Sequence, residues 1–363
     1  MRIAQTSLKG VTLNILGKTY NGYTLFTPLG TKETMLIDMQ GRVVHQWNMP
    51  YLPALYGVLL DNGNLLYGGY VEKGSLASLK GAGGELLEVD WDGNLVWNYK
   101  DPYLHHSFYR MPNGNTMVLR WVKVPKNIAV KVKGGIPGTE KDGIMWGDSF
   151  QEVSPHDKVL WEWLAYEHLD PEKDIICPLC PRSQWTEANS FTVLPDGDIL
   201  TSFARTKTIC IISKTTGDIK WRWGSGGELA HQNDVTVLEN GNILLFDNGT
   251  HCISFSLGYS RVLEINPVTN KMVWEYKDDP WIAFYSAYMS SCQRLPNDNT
   301  LICEAQTGRI FEVMKSGRIV WEFVNPFPSL FDRVYGHNNI IPKAYRYGPD
   351  YEGLKGKNLE YSV

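Results

Sequence analysis

DMQGRVVHQW (38–47), VDWDGNLVW (89–97), VSPHDKVLW (153–161), SKTTGDIKW (213–221), INPVTNKMVW (265–274) and VMKSGRIVW (313–321) are six versions of one phrase. Each is a polar turn with glycine or a stand-in, two or three apolar residues, then tryptophan. Trp47, Trp97, Trp161, Trp221, Trp274 and Trp321 follow one another at intervals of 50, 64, 60, 53 and 47 residues. A period near 40–60 with a hairpin in each unit signals a repeat array. A second motif precedes most of the phrases: DNGN (61–64), PNGN (112–115), PDGD (195–198), ENGN (239–242) and PNDN (296–299). Asn-Gly and Asp-Gly supply the positive φ angles of tight hairpin turns. Apolar alternation flanks them, as in FTVLPDGDILTSF (191–203), so each unit reads as four antiparallel strands.

Four-stranded units repeated radially form a β-propeller, which leaves only short, protected edges. The expectation is therefore an all-β, six-bladed propeller forming one domain over 1–363. Its blades fall near 20–50, 53–100, 103–165, 186–225, 230–280 and 286–325, and the segment 326–363 closes the ring on the first blade. An eight-bladed disc has no sequence left for two more blades. Residues 121–147 and 164–186 are insertions. The first carries AVKVKG (129–134), whose alternation suggests a solvated hairpin. The second carries Cys177-Pro-Leu-Cys180.

The net charge of -4, with both signs interspersed, gives no reason to expect nucleic acid or an anionic membrane as partner. No apolar run approaches the ~18–20 residues that span a bilayer. MRIAQTSLKGVTLNILG has no export signature, so the expected compartment is cytoplasmic, with reduced thiols. CPLC stands alone. The nearest histidine in sequence is His168, so no metal and no other cofactor is expected, and two free thiols or a local disulfide suffice. Oligomeric state is unmarked.

Aligned on the turns, the first strands of the blades start polar. Leu55, His106, Asn189, Asn233 and Ser290 share one level; Glu187, His231 and Tyr288 lie two residues earlier; Tyr56, Ser107, Ser190 and Asp234 lie one residue later. In a propeller these strands line the central channel, so convergent polar groups there make the default ligand site. Tyr56, Tyr288, Tyr103 and Trp185 are the aromatics expected around an aromatic or anionic small molecule.

HHSFYRMPNGNTMVLR (105–120), WTEANSFTVLPDGDILTSFAR (185–205), HQNDVTVLENGNILLFDNG (231–249), SRVLEI (260–265) and AYRYGPDY (344–351) resemble the arylsulfate sulfotransferase family. The resemblance covers nearly the whole chain and implies a six-bladed propeller. It implies sulfuryl transfer from a phenyl sulfate to a phenol through a sulfohistidine, with other histidines and an arginine holding sulfate oxygens. His106, beside His105, matches the family's paired histidine, and Arg205 its arginine. Ser107 stands where the family has aspartate. Glu187 replaces a histidine, and Asn233 replaces the histidine of a Gln-His-Asp phrase that here reads Gln232-Asn233-Asp234. An amide is not nucleophilic, and Glu187 sets a negative charge where a sulfate oxygen would rest. At ~4 Å that repulsion is about 1–4 kcal/mol.

The reading is thus an enzyme with altered, acid–base chemistry of lyase, hydratase or hydrolase type. Glu187, His106 and His231 are its catalytic candidates. His105, Asn189, Arg205, Asn233, Asp234, Tyr56 and Tyr288 are its binding candidates. The alternatives are aryl-sulfate sulfotransfer with His106 or His231 as acceptor, and a non-catalytic binding propeller.

Overall fold

The computed structural model describes residues 8–74, 76–79, 81–252, 258–327 and 339–361. The chain is all-β, with six antiparallel blades, the sheet set of a six-bladed propeller. Two compact units each hold three of them: 1–102 with 276–363, and 103–275. Among the described residues no helix is long and apolar enough to cross a membrane.

In the first unit, blade 1 comprises Tyr23–Phe26, Glu33–Ile37 and Val43–Asn48, and Ala344–Tyr347 pairs beside Tyr23–Phe26 as its fourth strand. Blade 2 runs Leu52–Leu59, Leu65–Tyr70, Gly84–Val89 and Leu95–Lys100. Blade 6 runs Ser291–Arg294, Thr300–Glu304, Arg309–Val313 and Ile319–Val324, with a fifth strand, Gly10–Asn14, on its edge. That extra strand lies before the first repeat and carries no phrase to betray it.

The second unit holds blade 3 (Leu104–Arg110, Thr116–Lys123, Trp146–Val153, Val159–Leu164) and blade 4 (Ala188–Val193, Ile199–Phe203, Thr208–Ile212, Ile219–Trp223). It also holds blade 5 (Asn233–Val237, Ile243–Asp247, Arg261–Asn266, Lys271–Tyr276).

The two motifs have physical reasons. The turn glycines Gly63, Gly114, Gly197 and Gly241 sit at φ between 79° and 89°, where a Cβ is disfavoured. Blade 6 uses Asp298 at φ 65° instead. The asparagine that closes the turn then bonds a glutamate on the third strand, as Asn64 does to Glu88 at 2.7 Å and Asn242 to Glu264 at 2.6 Å. In four of the six phrases the tryptophan latches onto the matching turn of the next blade. Trp47 Nε1 donates to Asp90 O at 3.0 Å, Trp161 to Lys214 O at 3.0 Å and Trp221 to Asn270 Oδ1 at 2.8 Å. Trp321 of blade 6 donates to Met39 O of blade 1 at 3.0 Å.

The insertions depart from expectation. Lys126–Ala129 is one helical turn, not an arm of a solvated hairpin. Val132 is 3% exposed and packs into the cluster that holds Trp185 and Met145, and that burial overrides the Val-Lys alternation. Gly134–Ile136 then pairs in parallel with Ile176–Pro181, the strand that bears CPLC.

Candidate functional site

Most of the sequence candidates lie in the second unit, on the first strands of blades 3, 4 and 5. Those strands begin irregularly. Glu187, His231 and Asp234 have φ of 49°, 61° and 51°. The ladders slip between Ala188 and Ser190 in blade 4 and between Asn233 and Thr236 in blade 5. Left-handed backbone at non-glycine residues costs of order 1–3 kcal/mol and clusters at functional sites. Bulges re-aim side chains.

A hydrogen-bonded seam joins the three strands. His106 Nε2 lies 2.8 Å from Asn189 O, and Asn189 Nδ2 donates to Gln232 O at 2.7 Å. Gln232 Nε2 donates to Thr208 O at 3.0 Å, and Val235 N donates to Ser190 Oγ at 3.0 Å. His106, Asn189 and Asp234 are all buried, as is Asn233. His105 turns to Trp121, ring centroids 4.2 Å apart, and is buried as well.

Glu187 pairs with an arginine. Its Oε2 lies 2.7 Å from Arg205 Nε, with both residues buried. Arg205 is further committed: Nη1 donates to Pro181 O at 2.5 Å and Gln184 O at 3.0 Å, and Nη2 to Gln184 Oε1 at 2.5 Å. Asp148 on blade 3 anchors the same segment. Its Oδ2 accepts the Thr186 hydroxyl, and Ala188 N at 2.8 Å. Burial pushes its carboxyl up to about 7.

The structure also gathers residues that the sequence kept apart. Cys177 Sγ lies 3.5 Å from His251 Nδ1. Cys180 Sγ lies 3.5 Å from His231 Nε2 and 3.6 Å from His251 Nδ1. The four ligand-capable atoms all lie within 4.8 Å of one another. CPLC therefore does not stand alone, and His168 is not its partner: it stacks on Trp163 at 5.0 Å. The histidines come from 51 and 74 residues downstream, across a blade boundary, which no local spacing could signal. All six cysteines are free. The Cys177 thiol is held well below its usual range by the Cys180 hydrogen bond and by nearby His231. The Cys180 thiol is pushed up by its bond to Cys177 and by burial.

Beside this cluster opens a cleft of about 430 Å³, lined among others by Cys177, Arg205, Lys207, Gly226 and Gly227. That size suits a small molecule. Lys207, which the sequence did not single out, donates from Nζ to His251 O at 2.9 Å.

Three aromatic candidates fall elsewhere. Trp185 is fully buried in the core, its indole donating to Asp174 O at 2.6 Å, so it presents no face to a ligand. Tyr56 and Tyr288 belong to the other unit. Tyr56 is 5% exposed under Lys343, whose Nζ lies 4.7 Å from the ring centre. His337, the histidine that the closing segment offers to the edge of the first blade, lies outside the described residues.

Six blades, four of them carrying a phrase-to-turn latch, and a histidine-bearing polar seam in one unit fit a propeller of the sulfotransferase-like class. The chain belongs to the arylsulfotransferase (ASST) family, whose profile matches residues 73–326. Among curated proteins none matches. A protein of unknown function from Bacteroides caccae shares the fold at 13% identity and TM-score 0.57, over 90% of this chain and 98% of that one. Virginiamycin B lyase from Staphylococcus aureus aligns at 10% identity and TM-score 0.48, over 87% of this chain and 88% of that one.

Proposed function

We propose that the protein is an enzyme acting on a small anionic molecule by acid–base chemistry, with His106 as its reacting imidazole. The observation that carries this reading is the 2.8 Å bond from His106 Nε2 to the Asn189 carbonyl. A carbonyl oxygen only accepts, so Nε2 carries a proton, and in the neutral form of the ring the lone pair lies on Nδ1. A base held in one tautomer by a second group is the arrangement of general-base catalysis. An anionic substrate is supported by Lys207 in the wall of the cleft, whose ammonium spends one donor on the His251 carbonyl. Glu187 then acts as a positioning residue through its bond to Arg205.

Sulfuryl transfer is a second reading, favoured by one observation. The Glu187 carboxylate, which would repel a sulfate, is paired with the Arg205 guanidinium. In that chemistry His106 Nδ1 forms the N–S bond, the S–O bond to the phenolate breaks, and a second phenol takes the SO₃ and gives up its proton.

The first measurement offers a chromogenic aryl sulfate and a phenol to the wild-type protein and His106→Ala, followed by intact mass. Phenolate release with SO₃ added to the wild type alone selects sulfuryl transfer. Without either, a panel of small aromatic carboxylates and phenols is followed for elimination, hydration or hydrolysis. General-base loss in His106→Ala lowers the rate by about 10²–10⁴. If the variant turns over substrate like the wild type, His106 is not the reacting group and both readings fail.

A further inference from the structure

We propose that Cys177, Cys180, His231 and His251 bind one Zn²⁺ ion, which ties the CPLC strand to blade 5. Two sulfurs and two imidazole nitrogens are the donor set of a closed, tetrahedral structural zinc site, with Zn–S near 2.3 Å and Zn–N near 2.0–2.1 Å. Those bond lengths and the tetrahedral angle require each S···N edge to be about 3.5 Å. Three of the four S···N edges are 3.5, 3.5 and 3.6 Å, and every pair of donors lies within 4.8 Å. Pairwise hydrogen bonding accounts less well for the same geometry. His251 Nδ1 faces two sulfurs and Cys180 Sγ faces two ring nitrogens, so one proton per contact does not close the group, whereas one cation at its centre meets all four donors.

The surroundings hold the donors in place without metal. Cys177 N donates to Arg205 O at 2.8 Å, Arg205 reaches back to Pro181 O at 2.5 Å, and Lys207 holds the His251 carbonyl at 2.9 Å. Backbone contacts of this kind fix the direction of metal ligands. His231 and His251 adopt φ of 61° and 56°, local strain that four metal bonds offset. Two thiolates neutralise the dication, which makes the buried site free of net charge. The ion takes His231 out of proton transfer and leaves His106 as the imidazole for chemistry.

The test does not depend on activity. The full chain is purified under reducing conditions with zinc in the medium and its metal content measured by plasma mass spectrometry. One zinc per chain is expected. The metal is then exchanged for Co²⁺. Thiolate charge-transfer bands and the intense visible bands of tetrahedral cobalt are expected. Cys177→Ser and His251→Asn are to weaken Co²⁺ binding by more than about 100-fold, beyond the 10–100-fold typical of an outer-shell partner. Cys292→Ser, in the other unit, is to leave the spectrum unchanged. Should a ligand variant fail to fold, the wild-type zinc content and cobalt spectrum decide alone. Sub-stoichiometric zinc with an octahedral or absent cobalt spectrum overturns the proposal, as does a Cys177–Cys180 disulfide in the reduced preparation.

Discussion

Glu187 and Arg205 are 7% and 5% exposed, and their charges meet where water barely reaches. Removing one member of such a pair leaves the other uncompensated, which costs about 3–5 kcal/mol. Glu187→Gln is therefore expected to lower the urea midpoint strongly, and a second change, Arg205→Met, to restore part of the loss. If the double variant is as unstable as the sum of the singles, the pair is not a unit. Asp148 offers a pH signature. Its carboxyl is raised mainly by burial; Thr186 and Ala188 oppose, Glu187 raises it further and Arg205 lowers it. A folded pKa above the unfolded one means the native state binds the extra proton. Stability from this group is then greatest below the unfolded value of 3.8, falls as pH rises towards about 7, and is level above that. Asp148→Asn removes the titration. Its amide oxygen can still accept from Thr186 and Ala188, so the variant is expected to match or exceed the wild type at pH 8 and to flatten the slope between pH 4 and 7. Chemical denaturation at several pH values reads both effects.

The strands and turns show what a sequence displays and what it hides. Gly63, Gly114, Gly197 and Gly241 are visible because each turn needs a positive φ locally, and Trp47, Trp161, Trp221 and Trp321 because these four blades repeat the same latch. The alignment also puts Glu187 and His231 at one level, and both stand just before their strands in the left-handed region. Partners were a different matter. Arg205 for Glu187 is 18 residues away, and the histidines of CPLC lie in another blade, so only the closed backbone brings them together. The Trp161 latch is testable in isolation. Trp161→Phe keeps a ring in place but strips the donor from Lys214 O, and losing one such bond costs about 1 kcal/mol, up to ~3 where the acceptor is left dry. A urea midpoint shifted by less than a third of that would mean that the phrase repeats for its ring rather than for its N–H.

In the unit formed by 1–102 and 276–363, a late strand joins the first blade. Ala344–Tyr347 completes blade 1, and Trp321 of blade 6 reaches the first turn phrase at Met39. Arg346 stands at the junction. Its Nη1 lies 2.5 Å from Glu312 of blade 6, its Nε donates to Thr24 of blade 1 at 3.1 Å, and its guanidinium lies 4.3 Å from the Trp321 ring centre. Both charged side chains are wholly buried, and burial brings the Arg346 pKa down to about 10, which still leaves it a cation at neutral pH. Such a pair is weak evidence for net stability, because desolvating two charges offsets most of their attraction. The role expected of it is specificity, since each partner is uncompensated unless the strand Ala344–Tyr347 sits in register with the first blade. Arg346→Met is expected to cost about 3–5 kcal/mol by stranding Glu312. Arg346→Met combined with Glu312→Leu is expected to recover much of that, and hydrogen exchange of Tyr23–Phe26 tells the two apart. Fast exchange of that strand in the single variant only, with slow exchange regained in the double, identifies the ion pair as the lock on closure. Slow exchange in both would assign closure to the strand pairing and the Trp321 latch alone.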